Sequence, residues 1–90
     1  MIRPVIYFAD SFKKSYKKLV KRNPEIGFEI LHCLLLFHQD PFTPSLRTHK
    51  LKGQLSDFYA FSVEAYLRII FRFDNEDIIV VDIGSHNEVY

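Results

Sequence analysis

Two histidines lie where they could move protons, close in sequence to cations that could hold a phosphate. His86 falls in the closing segment Gly84-Ser85-His86-Asn87-Glu88-Val89-Tyr90, behind a strand-like run. His49 opens the segment His49-Lys50-Leu51-Lys52-Gly53, and Arg68 and Arg72 thread through the apolar run Leu67-Arg68-Ile69-Ile70-Phe71-Arg72-Phe73. Histidine titrates near neutrality, so it can take a proton and return it. Arginine presents a planar fork that matches phosphate oxygens. Attack of an RNA 2′-hydroxyl on the adjacent phosphate needs these functions: a base, cations for the charge growing on phosphorus, and an acid for the leaving oxygen. Tyr90 could stack on a base or donate a proton.

Each of these residues also has an ordinary reading. A loop histidine can serve only as a hydrogen-bond partner. Arg68 and Arg72 could pair with Glu64, Asp77 or Asp82, since an arginine in an apolar strand is costly to bury alone. Lys50 and Lys52 could face water, and Tyr90 could pack on the sheet. His32 and His38 fall on a predicted helix and read as structural or surface residues. No histidine has metal-ligand spacing such as His-Glu-x-x-His, and one cysteine cannot build a thiolate zinc site. Neither a metal nor a cofactor is expected.

The scaffold for these groups is small. Ninety residues make one domain, 1–90, and nine Phe with five Tyr supply an efficient core. Cys33 is the only cysteine, which excludes an internal disulfide and fits a reducing compartment. Its apolar surroundings read as those of a buried structural thiol. The N-terminus, Met1-Ile2-Arg3-Pro4, lacks the pattern of a signal peptide. The longest apolar stretch, residues 30–37, is broken by His32 and too short to cross a bilayer. A soluble, cytoplasmic protein without membrane partners is expected. Net charge is +1, but residues 1–52 carry ten basic against four acidic side chains, and residues 53–90 carry two against seven. One basic surface facing a nucleic acid would fit that split, and so would charges spread over the surface, since a split in sequence need not be a split in space.

Residues 4–8 read as a first strand. Asp10 or Ser11 can cap a helix, along which Phe12, Tyr16, Leu19 and Val20 recur at helical spacing with lysines on the other faces. Asn23-Pro24 reads as the cap and first position of a second helix, which stops before Asp40-Pro41. Ile26, Ile30, Cys33 or Leu34, and Phe37 give it a core stripe. Phe28, Leu31 and Leu35 widen that stripe beyond what one sheet face needs, which suits deep core or a partner chain. Residues 42–48 read as a loop and 49–54 as a loop or irregular strand edge. Strands are predicted at 58–63, 67–73 and 77–83, joined by turns at 64–66 and 74–76. The order β-α-α-β-β-β implies an α+β fold, with a helical hairpin packed on one face of a small, mainly antiparallel sheet. The other face should be open and should display Arg68 and Arg72.

The order of elements, the segments 49–53 and 66–71, and the closing Gly-Ser-His-Asn-Glu-Val-Tyr together resemble the RelE/ParE superfamily of bacterial toxins. The resemblance covers essentially the whole chain. The final histidine, followed four residues later by an aromatic, looks most like the YafQ branch. The resemblance implies a toxin of a type II toxin–antitoxin pair that acts as an mRNA interferase, in many members on the ribosome. Carried over by position, His86 matches the branch's catalytic histidine, Tyr90 its terminal aromatic and His49 the histidine opening its His-x-Leu-x-Gly segment. Arg68 matches the strand arginine near the scissile phosphate. Lys50 and Lys52 resemble lysines that contact RNA, with Arg72 beside them on the arginine-bearing strand. A cognate antitoxin, mRNA and the ribosome are the implied partners, and Phe28, Leu31 and Leu35 are the candidate antitoxin-docking residues. The sequence departs from the branch at about Ser62 and Tyr66, where a further histidine and aspartate are often found. Two rival readings share the fold: a ParE-type inhibitor of DNA gyrase without nuclease activity, and a degenerate antitoxin-binding module.

Overall fold

A computed structural model describes residues 4–85. Strand β1 (Ile6–Phe8) leads into helices α1 (Asp10–Arg22) and α2 (Ile26–Gln39), followed by β2 (His49–Lys50), β3 (Tyr59–Val63), β4 (Leu67–Asp74) and β5 (Asp77–Ser85). The five strands form one sheet in the order β1-β5-β4-β3-β2. β1 runs parallel to β5, and every other neighbouring pair is antiparallel. The expected order is therefore found, with a two-residue β2 added where the sequence left loop and strand edge open. Short 3-10 turns at Pro44–Leu46 and Gly53–Leu55 shape the connections around β2.

The alternation read in β4 is physical. Leu67, Ile69 and Phe71 are buried on the face that meets the helices, together with Ile78, Val80 and Ile83 of β5. Helix α2 contributes Ile26, Ile30 and Phe37 to this core, and α1 contributes Phe12. The Phe37 ring stacks on Phe61, with centroids 4.5 Å apart, and meets Phe71 edge-on at 4.7 Å.

The opposite face is not open, as the sequence suggested. Ile70 lies on it between the two arginines and is buried under a second cluster with Leu51 and Ala60, against which Leu55 and Phe58 pack. Exposing a whole isoleucine would forfeit about 1.5–3 kcal/mol. Segment 51–58 folds over it and leaves the arginines at the margins.

The helix starts also differ from expectation. Ala9, extended at φ −68° and ψ 156°, occupies the N-cap of α1, and no side chain caps it. Ser11 instead donates its hydroxyl to the Val81 carbonyl, and Ser15 donates to Asp82 Oδ1 at 2.6 Å. These side chains fasten α1 to β5 rather than to its own first turn. Helix α2 begins at Ile26, after a tight turn in which the amides of Ile26, Gly27 and Phe28 donate to the carbonyls of Asn23, Pro24 and Glu25. Asn23 makes the corner without capping α2 through its side chain. The stop at Asp40 is as expected, and its Oδ1 accepts the Phe42 amide at 2.9 Å.

Pairing between β4 and β5 shifts at one point. Ile70 lies opposite Asp82 and Phe71 opposite Val80, so Val81 is the extra residue of a bulge. A bulge bends its strand and re-aims the side chains beyond it. No helix among the described residues is long and apolar enough to cross a membrane.

Candidate nucleic-acid interface

Register places the candidate residues. His49 pairs with Ala60, and Ala60 pairs with Ile70. Residues directly opposite one another share a sheet face. His49 therefore lies on the face of Ile70, and Arg68 and Arg72 lie on it two residues to either side. Strand spacing and rise put the His49 backbone about 12 Å from that of each arginine.

The His49 ring is exposed, and its Nδ1 lies 3.2 Å from the Arg47 carbonyl. A carbonyl oxygen only accepts, so Nδ1 carries the proton of this contact. In the neutral ring the lone pair is then on Nε2. That is the tautomer a proton acceptor needs.

Arg68 is half-buried in the middle of the sheet, with Ser62 opposite it on one side and Gly84 on the other. Two small neighbours leave room around the guanidinium. Its Nη1 donates to the carbonyls of Leu67 at 3.0 Å and Ala65 at 3.2 Å. The carboxylates that might have paired with it are engaged elsewhere. Asp77 accepts the Val5 amide, and Asp82 accepts the Ser15 hydroxyl and the Ile83 amide. Glu64 lies nearby in the turn after β3, yet both Arg68 bonds go to backbone. Of the two departures noted in the sequence, Ser62 faces Arg68 directly and Tyr66 is exposed on that turn.

The basic residues do not form one cluster. Arg68 lines a hollow of about 410 Å³ shared with His32, Cys33, Arg47, Ser62 and Glu64. Arg72 lines another, of about 540 Å³, with Lys50, Asp57, Tyr59 and Phe73. Buried Ile70 lies between the arginines. Lys50 pairs with Tyr59, opposite Phe71, so alternation turns it away from His49, and from the sheet edge it reaches the Arg72 hollow. Lys52 is exposed just beyond β2. His86 and Tyr90 lie outside the described residues. Ser85, the residue before His86, pairs with Leu67 next to Arg68.

Two features were missed in the sequence. Arg47 lies in the Arg68 hollow, and its backbone φ of 53° is not written in any local motif. A groove of about 350 Å³ between the helices, lined by Phe8, Phe12, Tyr16 and Leu31 and rimmed by Lys13 and Lys17, needed the tertiary fold to appear. The apolar stripe on α2 is where expected: Phe28 is 77% exposed, Leu31 55% and Leu35 56%.

Cys33 is half-buried, and burial, followed by the charges of Glu29 and Glu64, raises its thiol above the ordinary range. Only the thiolate is nucleophilic. Alkylation of Cys33 by iodoacetamide should therefore stay slow at neutral pH and accelerate at a more alkaline pH than for a free thiol. A rate–pH profile matching a free thiol would contradict this. Among the described residues no group of three or more His, Cys, Asp and Glu side chains could hold a metal ion.

Comparison with known proteins adds a family. A family model described as a bacterial toxin of type II toxin–antitoxin system, YafQ, matches residues 5–90. A chain of the Escherichia coli DinJ-YafQ toxin–antitoxin complex superposes with a TM-score of 0.80 at 15% identity, over 99% of both chains. A YoeB/ParE toxin from Agrobacterium tumefaciens gives 0.76 at 15%, over 91% of this chain and 98% of that one. A copper-bound mutant toxin from Helicobacter pylori gives 0.76 at 22%, over 97% and 99%. At these identities the likeness is one of fold. No curated protein matches the sequence.

Proposed function

Because this chain belongs to the YafQ family of bacterial type II toxins, we propose that it is an endoribonuclease that cuts mRNA on the ribosome by metal-independent acid–base catalysis. The observation that carries this reading is the register that sets His49 and Arg68 on one sheet face. His49 Nε2 takes the proton of the 2′-hydroxyl, whose oxygen forms a bond to phosphorus. Arg68 stabilises the charge that grows on the phosphoryl oxygens. The bond from phosphorus to the 5′-oxygen then breaks, and His86 supplies that oxygen with a proton. Tyr90 stacks on a neighbouring base. Lys50, Lys52 and Arg72 hold flanking phosphates, displaced from the cut. The substrate's own hydroxyl is the nucleophile, so the chemistry asks for no cofactor.

The test is cleavage of a defined mRNA by purified protein, with and without ribosomes. Cutting only on ribosomes is the expected result. Cutting of free RNA would keep the chemistry and remove the ribosome from it. Failure to cut in either case would end the nuclease reading, and inhibition of gyrase supercoiling would then make the protein a gyrase inhibitor.

The partner of a type II toxin is its antitoxin, and the DinJ-YafQ complex is such a pair. The stripe Phe28, Leu31 and Leu35 is the surface we assign to it. Large apolar side chains left exposed along one helix favour an amphipathic partner. Changing Leu31 and Leu35 together to Asp should weaken antitoxin binding at least 100-fold, since each buried leucine is worth about 1.5–3 kcal/mol. Their exposure leaves the fold intact. An unchanged calorimetric Kd would remove the stripe from the interface.

A further inference from the structure

We propose that the hollow beside Arg68 is a second phosphate-binding subsite and that Arg47 is its principal cation. This rests on RNA as the substrate and identifies where a phosphate next to the cut is held.

The first observation is conformational. The 3-10 turn Pro44–Leu46 ends at Arg47, whose φ of 53° and ψ of 42° are left-handed. Residues with a Cβ adopt this region uncommonly, and glycine does so without penalty. Strain of this kind persists where neighbours over-determine it. Here Leu46 is buried in the main core on one side. On the other, the Thr48 hydroxyl donates to the Pro41 carbonyl at 2.5 Å. The backbone of Arg47 is clamped between two anchored residues, and a long cation stands at a position that suits glycine.

The second observation is what this cation faces. Its side chain is exposed and lines the hollow with Arg68, Ser62 and His32. Both hydrogen bonds of Arg68 are made by Nη1, which leaves Nη2 and Nε for a ligand. Two guanidinium groups and a serine hydroxyl converge there against one carboxylate, Glu64. The Arg47 carbonyl also receives Nδ1 of His49. One residue thus orients the proposed base and reaches the proposed subsite, which fixes the distance between them.

The test is the affinity of a short, fluorescently labelled single-stranded RNA, measured by anisotropy across a salt series with the full chain. Arg47→Gly should weaken binding about tenfold and should make the salt dependence shallower by about 0.7 in log–log slope, the loss of one phosphate contact. The same variant should melt a few degrees higher, roughly 3 °C, because glycine relieves the left-handed backbone. Glu64→Gln should move affinity the other way, about threefold tighter, by removing the opposing charge. A higher melting temperature with unchanged affinity and slope would make Arg47 a strained turn residue and overturn the subsite. So would a Glu64→Gln variant that leaves affinity unchanged. Because binding is the readout, a protein that holds RNA through Arg47 and never cuts it would sink the nuclease reading and keep the subsite.

Discussion

Replacing Arg68 by alanine is expected to leave a folded protein that cuts RNA about 10²–10³-fold more slowly, the usual cost of removing one donor from developing transition-state charge. Arg68 lies mid-sheet with Ser62 and Gly84 opposite it, so alanine fits without crowding. The bonds given up are two, to the carbonyls of Leu67 and Ala65. Each contributes about 1 kcal/mol net, and Ala65 is exposed, so water can replace part of that. Arg68→Lys separates charge from geometry. Lysine supplies a point charge without the fork, and should recover part of the rate but not all. Single-turnover cleavage beside a thermal melt reads both quantities. A normal melt with a normal rate would remove Arg68 from the chemistry. A collapse of both would make it a structural residue of the β3–β4 turn.

The largest effect on stability is expected at Phe37. It is fully buried, stacked on Phe61 and edge-on to Phe71, and it joins α2 to the sheet. Phe37→Ala should cost about 3–5 kcal/mol, from lost transfer energy and an incompletely collapsed cavity. Domains of this size hold about 5–15 kcal/mol in total, so Tm should fall by about 15–30 °C. Leu35→Ala, two positions earlier on the exposed side of the same helix, should change stability by no more than about 0.5 kcal/mol. Antitoxin bound to the native form should restore part of the loss by mass action. Comparable melts for both variants would mean that α2 is not held to the sheet through Phe37.

The two helices and β4 were legible in the sequence because their logic is local. Phe12, Tyr16 and Leu19 repeat at helical spacing, and Leu67, Ile69 and Phe71 alternate. The shared side of Arg68 and Arg72 comes from the same alternation. The features that local logic missed depend on partners far along the chain. Ser11 looks like a helix-start residue, yet its hydroxyl and that of Ser15 reach β5, 70 and 67 positions away. Leu51, Leu55 and Phe58 are spaced as on a helix, yet the segment forms only the short turn Gly53–Leu55, and their purpose appears only once Ile70 is found beneath them. The expectation that Lys50 shares a face with His49 failed for a related reason. Lys50 comes directly after His49, and adjacent strand residues point to opposite faces. Arg47 carried no signal, because a left-handed φ at an arginine is imposed by its anchored neighbours. The stripe Phe28, Leu31 and Leu35 was legible as a surplus of apolar residues.

The parallel pairing of β1 with β5 has a consequence for the order of events in the cell. Val5 and Asp77, which begin that pairing, are 72 positions apart in the chain. At about 5–20 residues per second, a ribosome needs about 4–14 s to make the stretch between them. Until β5 emerges, β1 has no neighbour and α1 has nothing for Ser11 and Ser15 to grip. Long-range closure of this kind also folds slowly once the chain is complete. The toxin is thus incomplete for most of its own translation, while α2, whose apolar side stays exposed in the finished fold, is made early.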